Sequence, residues 1–257
     1  VNSYPGNVHL PRPLQRWFHL RFTGMLASLI LLLMIAPFVL SIASRTGRPF
    51  GSLLLGIAFV QVYLSAVYTV SNERRQLKLA TGLSLITIVA MATAFITEAF
   101  LAWEIASIVS TILLAYVICL TLRFLFSVDR VTMDTIAAAI CVYLLMGLLW
   151  AFLYSLTSQI NPLAFSETEE MTRLANAAGD DAPAATVRFA GLDTGTGLYF
   201  SFVTLTTLGY GDITPLSTPA RMLTAAEAIA GQIYLAVLVA RLVGLHISQQ
   251  KGMSDET

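Results

Sequence analysis

Residues 22–44 contain no charged side chain, and four further uncharged runs follow at 49–72, 79–97, 105–122 and 135–156. A helix needs ~20 mostly apolar residues to cross a hydrocarbon core ~30 Å thick at ~1.5 Å per residue. Each run meets that length or comes close to it. The first is flanked by Arg16 and Arg21 before it and Arg45 and Arg48 after it. It is also longer than the ~7–15 apolar residues of a cleaved signal, so a retained helix is expected. A sixth apolar stretch covers about 220–244 and is interrupted by Glu227. Of the whole chain, 56% is hydrophobic and 12% charged, against ~25% charged in soluble domains. The excess apolar surface has to face lipid. The expected fold class is therefore an all-α membrane protein with six transmembrane helices.

Fifteen Lys and Arg balance fifteen Asp and Glu, which leaves no basic field for nucleic acid. Ten of those fifteen basic residues fall on one side if the N-terminus is inside: Arg12, Arg16, Arg21, Arg74, Arg75, Lys78, Arg123, Arg130, Arg241 and Lys251. The excess of Lys and Arg on cytoplasmic loops predicts both termini in the cytoplasm and a multi-pass protein of the plasma or bacterial inner membrane. Val1 in place of Met leads us to expect further chain upstream. Cys119 and Cys141 sit inside apolar runs, where packing is the expected role. His9, His19 and His246 are too scattered to form a ligand cluster, and no HExxH or GxSxG pattern occurs. Neither an enzyme nor an organic cofactor is expected.

The one long polar segment, about 157–193, is acidic. Ser166 followed by Glu169 has the spacing of a capping box, and Met171, Leu174, Ala175 and Ala178 recur at helical spacing. A short amphipathic helix at the membrane surface and an irregular acidic loop are both compatible with this pattern.

Beyond it runs Gly197-Leu-Tyr-Phe-Ser-Phe-Val-Thr-Leu-Thr-Thr207-Leu-Gly-Tyr-Gly-Asp212. The 198–206 stretch is apolar enough to be buried but too short to span, so a re-entrant helix is expected. Irregular backbone at membrane depth is tolerated only inside protein or along a wet cavity. Gly209 and Gly211 adopt φ > 0 without steric cost, while Leu208 and Tyr210 prefer φ < 0. Alternating hand along an extended strand turns successive carbonyls to one side. Four such strands around an axis would stack oxygen cages that replace the hydration shell of a monovalent cation. The short helix ahead of them would aim its partially negative C-terminal end at that cation.

Thr206-Thr207-Leu208-Gly209-Tyr210-Gly211-Asp212 resembles the signature filter of tetrameric potassium channels. The close resemblance covers about 134–246, the two-helix pore module. It divides the chain into a cytoplasmic segment 1–21, a four-helix non-voltage-sensing domain 22–126, a pore domain 134–246 and a short tail 247–257. It implies K+ ions held by the carbonyls of Thr207, Leu208, Gly209 and Tyr210, with the Thr207 hydroxyl at the inner end and Gly211 closing the filter. It also implies a homotetramer in a lipid bilayer, with Tyr210 packed outward against the pore helices. Leu208 replaces the commoner Val, but both point away from the axis. Val203 stands where some relatives carry a Glu behind the filter. Tyr199-Phe200 stand where a Trp pair is common, and Tyr199 offers Asp212 a hydroxyl instead.

On the sixth stretch, Gly231 matches the family's hinge glycine in position; a bend and a close helix contact are equally compatible with it. Glu227 is an intramembrane carboxylate and so a functional candidate, read first as a protonated or hydrogen-bonded strut behind the pore helix. Thr206, Val203 and Asp212 complete the filter-support set. The 79–122 stretch lacks Lys and Arg entirely, so steep voltage gating is not expected. The alternative reading is a non-conducting regulatory or sensor subunit that uses the pore module for assembly.

Overall fold

The computed structural model describes residues 21–46, 74–97, 100–128, 131–167 and 194–254. The expected second span at 49–72 and the amphipathic pattern at 171–178 lie outside the described residues. Six helices are present among those described: α1 (Arg21–Thr46), α2 (Arg74–Thr97), α3 (Phe100–Ser127), α4 (Met133–Ile160), α5 (Thr194–Leu205) and α6 (Thr218–Ser254). Two three-residue strands, β1 (Phe165–Glu167) and β2 (Ile213–Pro215), pair antiparallel with Ser166 opposite Thr214. Ser166 is thus a strand residue; Glu169, the other half of the capping-box pattern, lies outside the described residues.

Three helical segments are long and apolar enough to cross a membrane: Glu104–Ser127, Met133–Ile160 and Thr218–Leu245. Phe22–Ala36 and Lys78–Ala94 are shorter apolar helices. The protein is therefore mostly helical with at least three candidate spans among the described residues. Several helices extend past their apolar stretch. In particular α6 continues to Ser254, so the expected tail at 247–257 begins as helix.

Helix α4 is the hub, touching α1, α3, α5 and α6, while α2 packs on α3. Its start is marked by Thr132, whose side chain accepts from the Thr135 amide as an N-cap. Asp134 in its first turn also accepts the Phe22 amide at 2.9 Å, which ties the start of α1 to the same end. One core joins Met25, Leu29 and Leu32 of α1 to Leu113, Leu114 and Val117 of α3 and Val142, Leu145 and Leu148 of α4. Cys141 is buried within it, as its apolar surroundings imply. In lipid the drive for such contacts is close packing, and α4 carries small residues where neighbours approach: Ala137, Ala138, Ala139 and Gly147. A Cβ on Gly147 would lie 2.6 Å from the Phe202 ring, so any larger residue here would have to push that ring aside.

The candidate ion-conducting site

Helix α5 has 12 residues, about 18 Å at ~1.5 Å per residue, too short to cross the bilayer. It is held against α4 and the strand pair by three rings. Tyr154, Phe165 and Phe200 meet edge-to-face with centroids 5.0–5.4 Å apart, a favoured arrangement of ring quadrupoles.

The C-terminal end of α5 shapes the backbone of residues 207–211. The Thr207 amide donates to Thr204 O (2.9 Å), and the Leu208 amide donates to Val203 O (2.9 Å). This bond pair is a Schellman motif, which requires a left-handed residue between helix and exit. That residue is Thr207, with φ +59°. Glycine usually occupies this place. A β-branched residue there is strained by roughly 1–2 kcal/mol. The Gly209 amide also reaches Val203 O, at 3.3 Å, and Thr206 returns its hydroxyl to Phe202 O at 2.6 Å.

Gly209 and Gly211 have φ of +57° and +79°, and Thr207 is the one non-glycine residue with positive φ among those described. The sign of φ therefore alternates at every residue from 207 to 211. The expected alternation is present and begins two residues earlier than the glycines announce. Amides turn back onto the helix end. Among the described residues no hydrogen bond falls on the carbonyls of Thr207, Leu208, Gly209 or Tyr210.

The outer end is anchored separately. Asp212 Oδ2 accepts the Tyr199 phenol at 2.6 Å, and its Oδ1 accepts the Ile213 amide at 3.1 Å. Strand β2 follows at once, and the Leu216 amide closes onto Ala164 O at 2.8 Å. The Tyr199 phenol is pushed up to about 12, chiefly by that hydrogen bond to Asp212.

Behind α5 lies α6. Gly231 is buried, and a Cβ there would meet Leu205 Cδ1 at 2.8 Å and Leu205 O at 3.0 Å. Leu205 O also accepts the Tyr143 phenol. Helix α6 is continuous through Gly231, so close contact is the reading the geometry favours. Glu227, one turn earlier and fully buried, accepts the Tyr154 phenol at Oε2 and lies against the Ser201 hydroxyl at Oε1. Lower on the helix the Tyr234 phenol donates to Ala139 O at 2.6 Å. Arg241 donates to Val128 O at 2.8 Å with its guanidinium over the Phe126 ring.

Residues 203 and 206–212 are thus joined through the end of α5, whereas Glu227 and Gly231 meet α5 from α6 at Ser201 and Leu205. Val203 is buried, and its contribution is the backbone carbonyl that takes the amides of Leu208 and Gly209, which side-chain reasoning does not reach. Leu208 and Tyr210 are 54% and 67% exposed. The expected packing of Tyr210 against pore helices belongs to an assembly of several copies; in one copy its side chain is largely exposed.

No curated protein and no solved structure matches this chain. Residues 178–246, which hold α5, the alternating segment and α6 as far as His246, match a family model described as ion channel, so this site is similar to the pore of an ion channel.

Proposed function

We propose that the chain is a subunit of a potassium-selective channel that conducts K+ passively, with four copies around one axis. The observation that carries this reading is the alternating sign of φ from 207 to 211, with the Leu208 and Gly209 amides directed to Val203 O and the carbonyls of 207–210 left unbonded among the described residues. Four such strands supply cages of neutral oxygens, which bind a bare monovalent cation without trapping it. One strand makes one wall, and the exposed Leu208 and Tyr210 are the surfaces that neighbouring copies would cover. The helices at 104–127, 133–160 and 218–245 would hold the assembly in a cell membrane, with both termini in the cytoplasm by the distribution of Lys and Arg.

The test is flux through the purified protein in liposomes, with mass measured in detergent. A K+ gradient should drive uptake of Rb+ but not Na+, and the mass should equal four protomers. An intact tetramer with no flux would favour the non-conducting subunit. A conducting dimer would overturn the four-fold cage.

A further inference from the structure

Glu227 stands where three elements meet behind the alternating segment. Its neighbours are Tyr154 on α4 and Ser201 on α5, and Ser201 Oγ also lies 2.8 Å from the carbonyl oxygen of Gly147 on α4. Three contacts need three hydrogens. A hydroxyl has one hydrogen to give, a carbonyl has none, and an ionised carboxylate has none. Tyr154 supplies the contact to Oε2. Ser201 must supply the contact to Gly147 O, because the carbonyl cannot. No hydrogen is then left between Ser201 Oγ and Glu227 Oε1 unless Glu227 carries it. Ionised, the group would set two lone pairs against each other in a site with no exposure to water, a costly arrangement.

We infer that Glu227 is held as the neutral acid in a directional chain, Tyr154 to Glu227 to Ser201 to Gly147 O, and that this chain positions α5 and with it the filter. Glu227 is then a positioning residue, a role that rests on the channel reading. The geometry supports the coupling. Ser201 and Leu205 lie one turn apart on α5, as Glu227 and Gly231 do on α6, so the hydrogen bond and the Gly231–Leu205 contact form two rungs between the same helix faces. Val203, whose carbonyl holds the amides of Leu208 and Gly209, sits between those rungs. A shift of α5 at Ser201 moves that carbonyl and the filter entrance together.

Glu227→Gln is the discriminating substitution, since a neutral amide accepts from Tyr154 and donates to Ser201 as the acid does. It should keep the K+ over Na+ permeability ratio of the unaltered tetramer. Tyr154→Phe removes one link and should lower that ratio roughly ten-fold, the scale of one buried hydrogen bond; Ser201→Ala removes two, to Glu227 and to Gly147 O, and should lower it more. Glu227→Leu likewise removes two links and should lower it more than Tyr154→Phe does. A Gln variant that loses selectivity as Leu does, in an intact tetramer, would overturn the neutral-acid assignment. Link variants with an unchanged ratio would overturn the positioning role. The infrared difference between the unaltered protein and Glu227→Gln, recorded at neutral pH, should contain the C=O stretch of a protonated carboxyl. A carboxylate band there instead would refute the proton. That spectrum needs no conduction, so it decides the hydrogen-bond chain even if the unaltered protein carries no flux and the channel reading fails.

Discussion

Tyr199 on α5 donates its phenol hydrogen to Asp212 at 2.6 Å, across the seven residues beyond the helix end. The bond closes the outer rim of the site much as the Val203 carbonyl closes its inner rim. Asp212 accepts from its own chain's Ile213 amide as well, so the carboxylate joins α5 to the start of β2. Tyr199 thus ties α5 to the far end of the 207–211 segment.

Removing that phenol isolates the rim. In the proposed four-copy channel, Tyr199→Phe should leave the assembly intact and make conduction decay faster during sustained flux, because Asp212 loses the partner that fixes it. The raised phenol also has a pH signature. A phenol ionising later in the folded protein favours the folded state below its ordinary value near ~10, and that contribution is lost as pH rises through about 12. In the ultraviolet difference between the unaltered protein and Tyr199→Phe, the phenolate signal should appear only near the higher value. Asp212→Asn should bring it down.

Gly209 separates backbone conformation from crowding. A Cβ there meets nothing within 4 Å, yet φ is +57°. Gly209→Ala thus fits sterically but strains the left-handed backbone by roughly 1–2 kcal/mol. We expect loss of K+ over Na+ selectivity in bi-ionic flux measurements. Unchanged permeability would show that the positive φ is not needed for the conducting form.

Gly231 and Gly244 lie on the same helix in opposite circumstances. Gly231→Ala drives a Cβ into Leu205 and should destabilise the folded protein by about 1–3 kcal/mol, visible as a lower thermal midpoint. At Gly244 a Cβ meets nothing within 4 Å, so Gly244→Ala should be neutral or stabilising by up to ~1 kcal/mol. A Gly231→Ala protein of normal stability with altered opening would favour a hinge.

Voltage dependence should be shallow. A charge crossing the full field is worth ~2.3 kcal/mol per 100 mV, and steep sensors use ~3–4 per subunit. The 79–122 stretch offers no Lys or Arg, and Arg123 beyond it is exposed. Conductance–voltage curves should correspond to less than about one charge per channel on that arithmetic. A steep sigmoid surviving Arg123→Gln would demand a sensor elsewhere in the chain.

Some of this architecture follows from the residues alone. Uncharged runs long enough for a bilayer indicate where α3 and α4 lie, and the apolar stretch around Glu227 indicates α6, because the cost of burying charge in hydrocarbon depends only on local composition. Gly209 and Gly211 announce positive φ for an equally local reason, the missing Cβ. Other features exist only once the helices are packed. Thr207 is left-handed because the α5 carbonyls need the Schellman bonds, which no propensity of threonine predicts. Ser166 pairs with Thr214 from a distant part of the chain. Gly231 is a contact because Leu205 arrives there. Glu227 finds Ser201 and Tyr154 at sequence separations of 26 and 73 residues. Hydrophobicity and backbone sterics are properties of a residue and its neighbours in the chain. Hydrogen-bond partners and close contacts are properties of pairs that only the tertiary fold brings together.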